Sequence, residues 1–368
     1  MKLGGILFCD RRTGGTDFFT ARRTAAAVPF ACRFRAVDLP LSAFARAGVG
    51  DAALIVNYGF HSLLEHIGSG KPWDFARTSG GLRTVSPYRY ARGGVFRTRL
   101  EALLYMTETL EALECDLLVL SDCDILLNPD LGALAAAHRE SGARLTLLAA
   151  HGATATDGEL LLKADAAHRV TDAAFSRSGR IGWRFLGTWL VERRLLLAAL
   201  AECRARSGSE LLQDLLLPLA RRVRTALLPY SEPYLDVGSA QAYYESALAL
   251  LADRDLRNAL IANPARPIYT SDRPTPPTVY GREGEALGSL IAEGCRIEGR
   301  VENCLLFRGV TVGRGSCVRN SVLFGGSYIG RGCVLSAVVT EKHTLIRDGV
   351  HLAGHPTLPL FIDQGKVC

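Results

Sequence analysis

Short apolar runs alternate with stretches of helical periodicity along the first two thirds of this chain of 368 residues. Leu3-Gly4-Gly5-Ile6-Leu7-Phe8, Ala52-Ala53-Leu54-Ile55-Val56 and Leu117-Leu118-Val119-Leu120 are continuous hydrophobic segments of strand length, with no solvated face. Between the last two, Leu100, Leu103, Leu104, Leu110 and Leu113 recur at helical spacing, and the leucines at 195–200 and 211–217 read as helical core. Buried strands alternating with helices predict an α/β domain with a mostly parallel sheet. Such sheets bind ligands at the carboxyl ends of their strands, which directs attention to Ser121-Asp122-Cys123-Asp124.

The pattern changes after residue 262. Pro264, Pro267, Pro274, Pro276 and Pro277 forbid a continuous helix and predict an extended connector over 263–283. It divides the chain into domains 1–262 and 284–368. In the second, Val301-Glu302-Asn303-Cys304-Leu305-Leu306-Phe307 returns 17 residues later as Val318-Arg319-Asn320-Ser321-Val322-Leu323-Phe324. Val312-Gly313-Arg314-Gly315 returns as Ile329-Gly330-Arg331-Gly332, again 17 later, and more weakly as Ile346-Arg347-Asp348-Gly349. Two different motifs held in one phase predict a stacked β-coil: three short strands per rung, apolar residues inward, glycines at the corners.

Composition narrows the class. A hydrophobic share of 48% with 22% charged residues, and no apolar run of about 18 or more, predicts a globular protein without a membrane span. The opening segment turns polar too soon for a secretory signal, so a cytoplasmic location is expected, and the ten scattered cysteines are expected as free thiols. The net charge of +6 is modest; its densest patch is Arg22, Arg23, Arg33, Arg35 and Arg46. Without interleaved aromatics this argues against nucleic acid and for a small phosphorylated ligand, a solvated basic face being the alternative.

Several segments carry a family resemblance. They are Phe19-Thr20-Ala21-Arg22-Arg23, Arg33-Phe34-Arg35-Ala36-Val37-Asp38-Leu39-Pro40, Gly68-Ser69-Gly70-Lys71-Pro72-Trp73, Asp214-Leu215-Leu216-Leu217-Pro218 and Pro267-Ile268-Tyr269-Thr270-Ser271. Together with the coil they resemble bacterial ADP-glucose pyrophosphorylase (glucose-1-phosphate adenylyltransferase), which makes ADP-glucose and pyrophosphate from ATP and glucose 1-phosphate for glycogen synthesis. The run Glu298–Val310 is similar to that of the GlgD-type subunit. The resemblance implies a nucleotidyltransferase-like, Rossmann-like domain, a left-handed hexapeptide β-helix, Mg²⁺ as cofactor, and a catalytic partner subunit in a hetero-oligomer, expected to be a tetramer.

Nucleotidyl transfer needs a backbone cradle for phosphates, positive charge on the transferring group and carboxylates for the metal. The family's glycine-rich turn, laid without gaps on Cys9 through Thr20, puts Asp10, Arg11 and Thr13 at its three glycines and Gly15 at its catalytic arginine. The metal aspartate of the strand-end motif falls on Cys123, a poor Mg²⁺ ligand, with Asp122 and Asp124 one residue away on either side. Tyr234-Leu235-Asp236-Val237-Gly238 resembles the second metal segment, so Asp236 is the best-matched ligand, a turn aspartate being its bland alternative. The resemblance also carries Arg23, Arg35, Asp38, Gly187 and Asp214 as substrate-binding candidates. No Glu-Lys-Pro precedes Arg184–Trp189, where the family keeps its sugar-phosphate lysine; Arg177 lies nearby. Ala25 replaces the effector-site lysine.

Other motifs are set aside. Gly68-Ser69-Gly70-Lys71 lacks the first glycine and the final Ser/Thr of a phosphate loop, and His61 and His66 stand five apart, off metal spacing on a helix. Three readings follow: a catalytically weak regulatory subunit; an independently active nucleotidyltransferase with a rearranged site; and a non-catalytic sensor of a sugar phosphate or nucleotide.

Overall fold

A computed structural model describes residues 2–10, 18–78, 80–90, 96–154, 158–176, 181–272 and 274–367. The three predicted strands form β1 (Leu3–Phe8), β2 (Asp51–Ile55) and β4 (Leu117–Asp122), and a further strand, β3 (Gly81–Val85), joins them. They continue as β5 (Leu145–Thr154), β6 (Leu160–Ala164), β7 (Val170–Phe175), β8 (Ile181–Glu192) and β9 (Thr225–Pro229). The sheet order is β7-β6-β8-β4-β1-β2-β3, with β5 pairing β8 and β9. The half holding β1 to β4 is parallel; β8 runs antiparallel to β4 and carries a mixed lobe in which β5, β6 and β7 pair antiparallel and β9 joins β5 in parallel.

Helices cover both faces, as a parallel sheet buried on both sides requires. On one lie α1 (Asp38–Arg46), α2 (His61–Ile67) and part of a later helix, Leu131–Glu140. On the other, the periodic leucines form α3 (Arg99–Tyr105) and α4 (Thr107–Ala112), which meet at Met106 instead of making one helix, and pack with the helix Arg193–Ala205.

The second domain is a coil of three five-stranded parallel sheets. Val301, Val318, Leu335 and Leu352 stand in one register column, giving the 17-residue period its physical meaning. Each rung has three corners at positive φ. Two are taken by the glycines at 309 and 326 and those at 315, 332 and 349; the third falls on Asn303, Asn320 and Ala337. Asparagine tolerates this conformation because its short polar side chain can bond locally. The first coil strand is Val279–Tyr280, inside the stretch read as connector, since the prolines end at Pro277.

One side of the coil is covered by the first domain. Phe19, Phe30, Tyr243 and Tyr244 pack with Leu305, Phe307, Val322 and Phe324 in a single cluster, each large side chain contributing about 1.5–3 kcal/mol by leaving water. The Tyr244 hydroxyl donates to the Asn320 carbonyl at 2.7 Å. Within this seam Arg23 Nη2 meets Glu341 Oε2 at 2.5 Å, both side chains being almost wholly buried. Among the described residues Arg23 Nη1 and Glu341 Oε1 lack a hydrogen-bond partner, so the pair is held by packing as much as by its own geometry.

Glu341→Gln should therefore destabilise the chain by about 3–5 kcal/mol, because it strands a buried guanidinium. Arg23→Met with Glu341→Leu should cost far less than the single change, as read by urea unfolding.

Candidate functional site

Phe8 of β1 stands opposite Asp122 of β4, so both strands discharge their chains at the same sheet edge. There a cleft of about 330 Å³ opens, lined by Asp10, Arg99, Asp122, Gly187, Trp189 and Glu210 among others. Residues 211–216 are π-helical, a widened turn that brings Leu211, Leu212 and Gln213 to the same wall.

Arg99 dominates this cleft. It is the first residue of α3, whose start is capped by Thr98 Oγ1 accepting from Glu101 N at 3.1 Å. Its Nε donates to both Asp10 carboxylate oxygens at 3.0 Å, Nη2 donates to Asp10 Oδ1 at 2.8 Å, and Nη1 donates to Asp122 Oδ1 at 2.7 Å. The guanidinium carbon lies 4.9 Å from the centre of the Phe8 ring. Burial alone would lower the pKa of Arg99; Asp10 and Asp122, with Asp124 farther off, more than reverse this and hold it well above its ordinary value.

A second arginine serves the next carboxylates. The short strand Leu235–Asp236 pairs antiparallel with Ile125–Leu126, placing Asp236 beside the residue after Asp124. A Cβ built on Gly238 would lie 3.1 Å from Asp236 Oδ1 and 3.9 Å from Asp124 Oδ2, so both carboxylates face one point. Asp236 Oδ2 accepts from Arg184 Nη2 at 2.5 Å, and the same nitrogen bonds Glu159. Burial would depress the pKa of Arg184, but the bond to Asp236 and the charges of Asp236 and Glu159 raise it.

Cys123, between the two strand-end aspartates, turns the other way. It is buried in the core cluster with Cys9, and that thiol contact and desolvation push its pKa well above the usual value. Gly187 fits a backbone of φ 71°, and a Cβ there would come within 2.6 Å of Asp122 Oδ2. Asp214 is a turn cap: Oδ2 accepts from Ser209 N at 2.7 Å and Glu210 N at 2.8 Å, which lowers its pKa.

Two basic candidates and Asp38 lie away from this cleft. Arg23 is in the domain seam. Asp38 is fully buried and accepts from Arg35 N at 3.0 Å and Thr270 Oγ1 at 2.6 Å, with His66 Nε2 at 2.6 Å from its other oxygen. The Arg35 guanidinium reaches the Ser62 carbonyl at 2.5 Å. Gly15, and with it Arg11, Arg12 and Thr13, lies outside the described residues, as does Arg177. The nine described cysteines are free thiols. No described helix is long and apolar enough to cross a membrane.

Comparison with known proteins now bears on this geometry. Residues 276–357 match the family described as GlmU-like, C-terminal hexapeptide. The glycogen biosynthesis protein GlgD of Bacillus subtilis is 30% identical over 352 residues, covering 95% of this chain and 92% of that protein. Its namesake in Geobacillus stearothermophilus is 32% identical over 86% of this chain and 83% of its own length. This chain belongs to the GlgD family. A glucose-1-phosphate adenylyltransferase of Halalkalibacterium halodurans is 26% identical over 99% of this chain and 96% of its own, so the GlgD fold is shared with nucleotidyltransferases.

The magnesium implied by the sequence resemblance takes hard oxygens in an octahedron at about 2.0–2.1 Å. In this GlgD-family chain Asp122 and Asp236 each already hold an arginine. Among the described residues no three His, Cys, Asp or Glu side chains converge as a metal would need. The residues present do not fit the ion.

Gly187→Ala should cost about 1–2 kcal/mol for its backbone conformation alone, with more from pressing on Asp122. Urea unfolding reads it; an unchanged midpoint would show that the Asp122 carboxylate is not pinned there.

Proposed function

We propose that this chain is a catalytically weak, regulatory subunit of an ADP-glucose pyrophosphorylase, acting in glycogen synthesis beside a catalytic glucose-1-phosphate adenylyltransferase subunit in a cytoplasmic hetero-oligomer, by expectation a tetramer. The observation that carries the reading is the Asp10–Arg99–Asp122 cluster. In nucleotidyl transfer a bare backbone must approach a triphosphate where this chain carries the Asp10 carboxylate, and a carboxylate there repels phosphate. The preserved core and coil support a scaffold role, since neither depends on the eroded groups.

A reading as sensor of a small phosphorylated ligand has an observation of its own. A second cleft, of about 430 Å³, lies between the domains and is lined by Arg33, Arg35, Arg308, Lys342 and His343. Arg308 is paired with Glu293 and Arg35 donates to the Ser62 carbonyl, but several cationic side chains along one concave wall suit a sugar phosphate or nucleotide. This reading is compatible with the first, because a regulatory subunit needs a ligand to respond to.

Two measurements test these readings. The purified chain alone should form ADP-glucose from ATP and glucose 1-phosphate with Mg²⁺ at least about a hundredfold more slowly than its complex with a catalytic subunit, a deficit of roughly 2.7 kcal/mol in barrier. Robust turnover by the chain alone would instead favour the rearranged-site reading, and Asp236→Asn or Asp124→Asn should then abolish it. Calorimetry with hexose phosphates, ATP and ADP-glucose should show binding that Arg308→Ala weakens at least tenfold; no heat with any of them removes the sensor reading.

A further inference from the structure

The magnesium that the family resemblance implies has no ready ligands here, and the arrangement suggests what took its place. We propose that Arg99 is a tethered substitute for the divalent cation: its guanidinium supplies, from inside the chain, the positive charge that two strand-end carboxylates require, and so closes the cleft to metal.

Three observations carry this. Asp10 and Asp122 emerge side by side from parallel strands and converge on one guanidinium rather than on solvent. The contacts span three nitrogens at 2.7–3.0 Å, a planar fork matched to carboxylate geometry. Finally, Arg99 is no wandering surface cation. Its side chain is 16% exposed, it sits at a capped helix start against Phe8, and Gly187 leaves room on the far side for the Asp122 carboxylate.

A divalent ion entering here would have to displace a guanidinium already bonded to both carboxylates. Driving it off both carboxylates leaves a buried cation unpaired, which proteins tolerate poorly. The second arginine, Arg184, holds Asp236 and Glu159 in the same manner, so those two carboxylates are not in reserve. Any ligand of this cleft is therefore bound without a metal bridge to phosphate, whichever subunit assembly the chain joins.

The test is Mn²⁺ binding by the full-length chain, followed by electron paramagnetic resonance of the free ion. The wild type should show no saturable site in the low millimolar range. Arg99→Met, which keeps bulk and removes charge, should gain one site bound at least tenfold more tightly than anything in the wild type, and adding Asp122→Asn should abolish it. Stoichiometric binding by the wild type that Asp122→Asn removes would overturn the proposal. So would an Arg99→Met chain with native circular dichroism and no new site. Should that variant fail to fold, the wild type compared with Asp122→Asn decides alone. Because the readout needs neither turnover nor a partner, it can fail while the subunit role stands, and the reverse.

Discussion

Carboxylates gathered at the mouth of a parallel sheet repel one another, and a chain that keeps them must give each a cation. Here Asp10 and Asp122 share Arg99, while Asp236 shares Arg184 with Glu159. A diffusible metal ion could supply such charge and be exchanged. A covalently attached guanidinium cannot leave, so it stabilises the resting fold at the expense of any step needing the carboxylates bare. The local packing follows from this choice: the start of α3 is drawn to the strand ends, and Gly187 must remain without a side chain.

The scaffold around the site is indifferent to these changes. The core on each face of the sheet is built from residues such as Leu7, Leu54, Val119, Leu120 and Leu147, none of which lines the cleft. The coil has its own apolar interior, from Ile297 to Ile346. The side chains that build the core are thus largely distinct from those that line the cleft, as in folds whose sites vary on a common scaffold.

Much of the architecture was legible in the sequence because it rests on periodicity. The coil follows from one 17-residue phase, and the strand ends around Asp122 follow from runs such as Leu117–Leu120. The site was less legible. Arg99 reaches Asp10 across 89 residues of chain, and nothing in the leucine spacing around it marks a residue at a helix start as a counter-ion. Arg23 reads as part of a surface patch, yet its partner Glu341 lies 318 residues away and buries it. Cys123 occupies the aligned metal position, but alternation along a strand turns it inward and presents its neighbours instead. Pairing between distant charges and the facing of single residues are decided by tertiary contacts that local pattern does not encode. At the third corner of two rungs the sequence carries a signal of its own, Asn303 and Asn320 standing 17 apart.

The last strand of the coil, Leu360–Ile362, has a mechanical consequence. A stack of rungs comes undone from its ends, each layer leaning only on the next. Here the terminal layer also carries Phe361, whose ring sits 5.1 Å from Phe18, while Gln364 accepts from Arg22 at 3.0 Å. Peeling that layer away would unfasten the stretch from Phe18 to Arg23, only a few residues downstream of Asp10. The far tip of the spring is thus buckled to the first domain at Phe18 and Arg22, and a load on one is felt by the other.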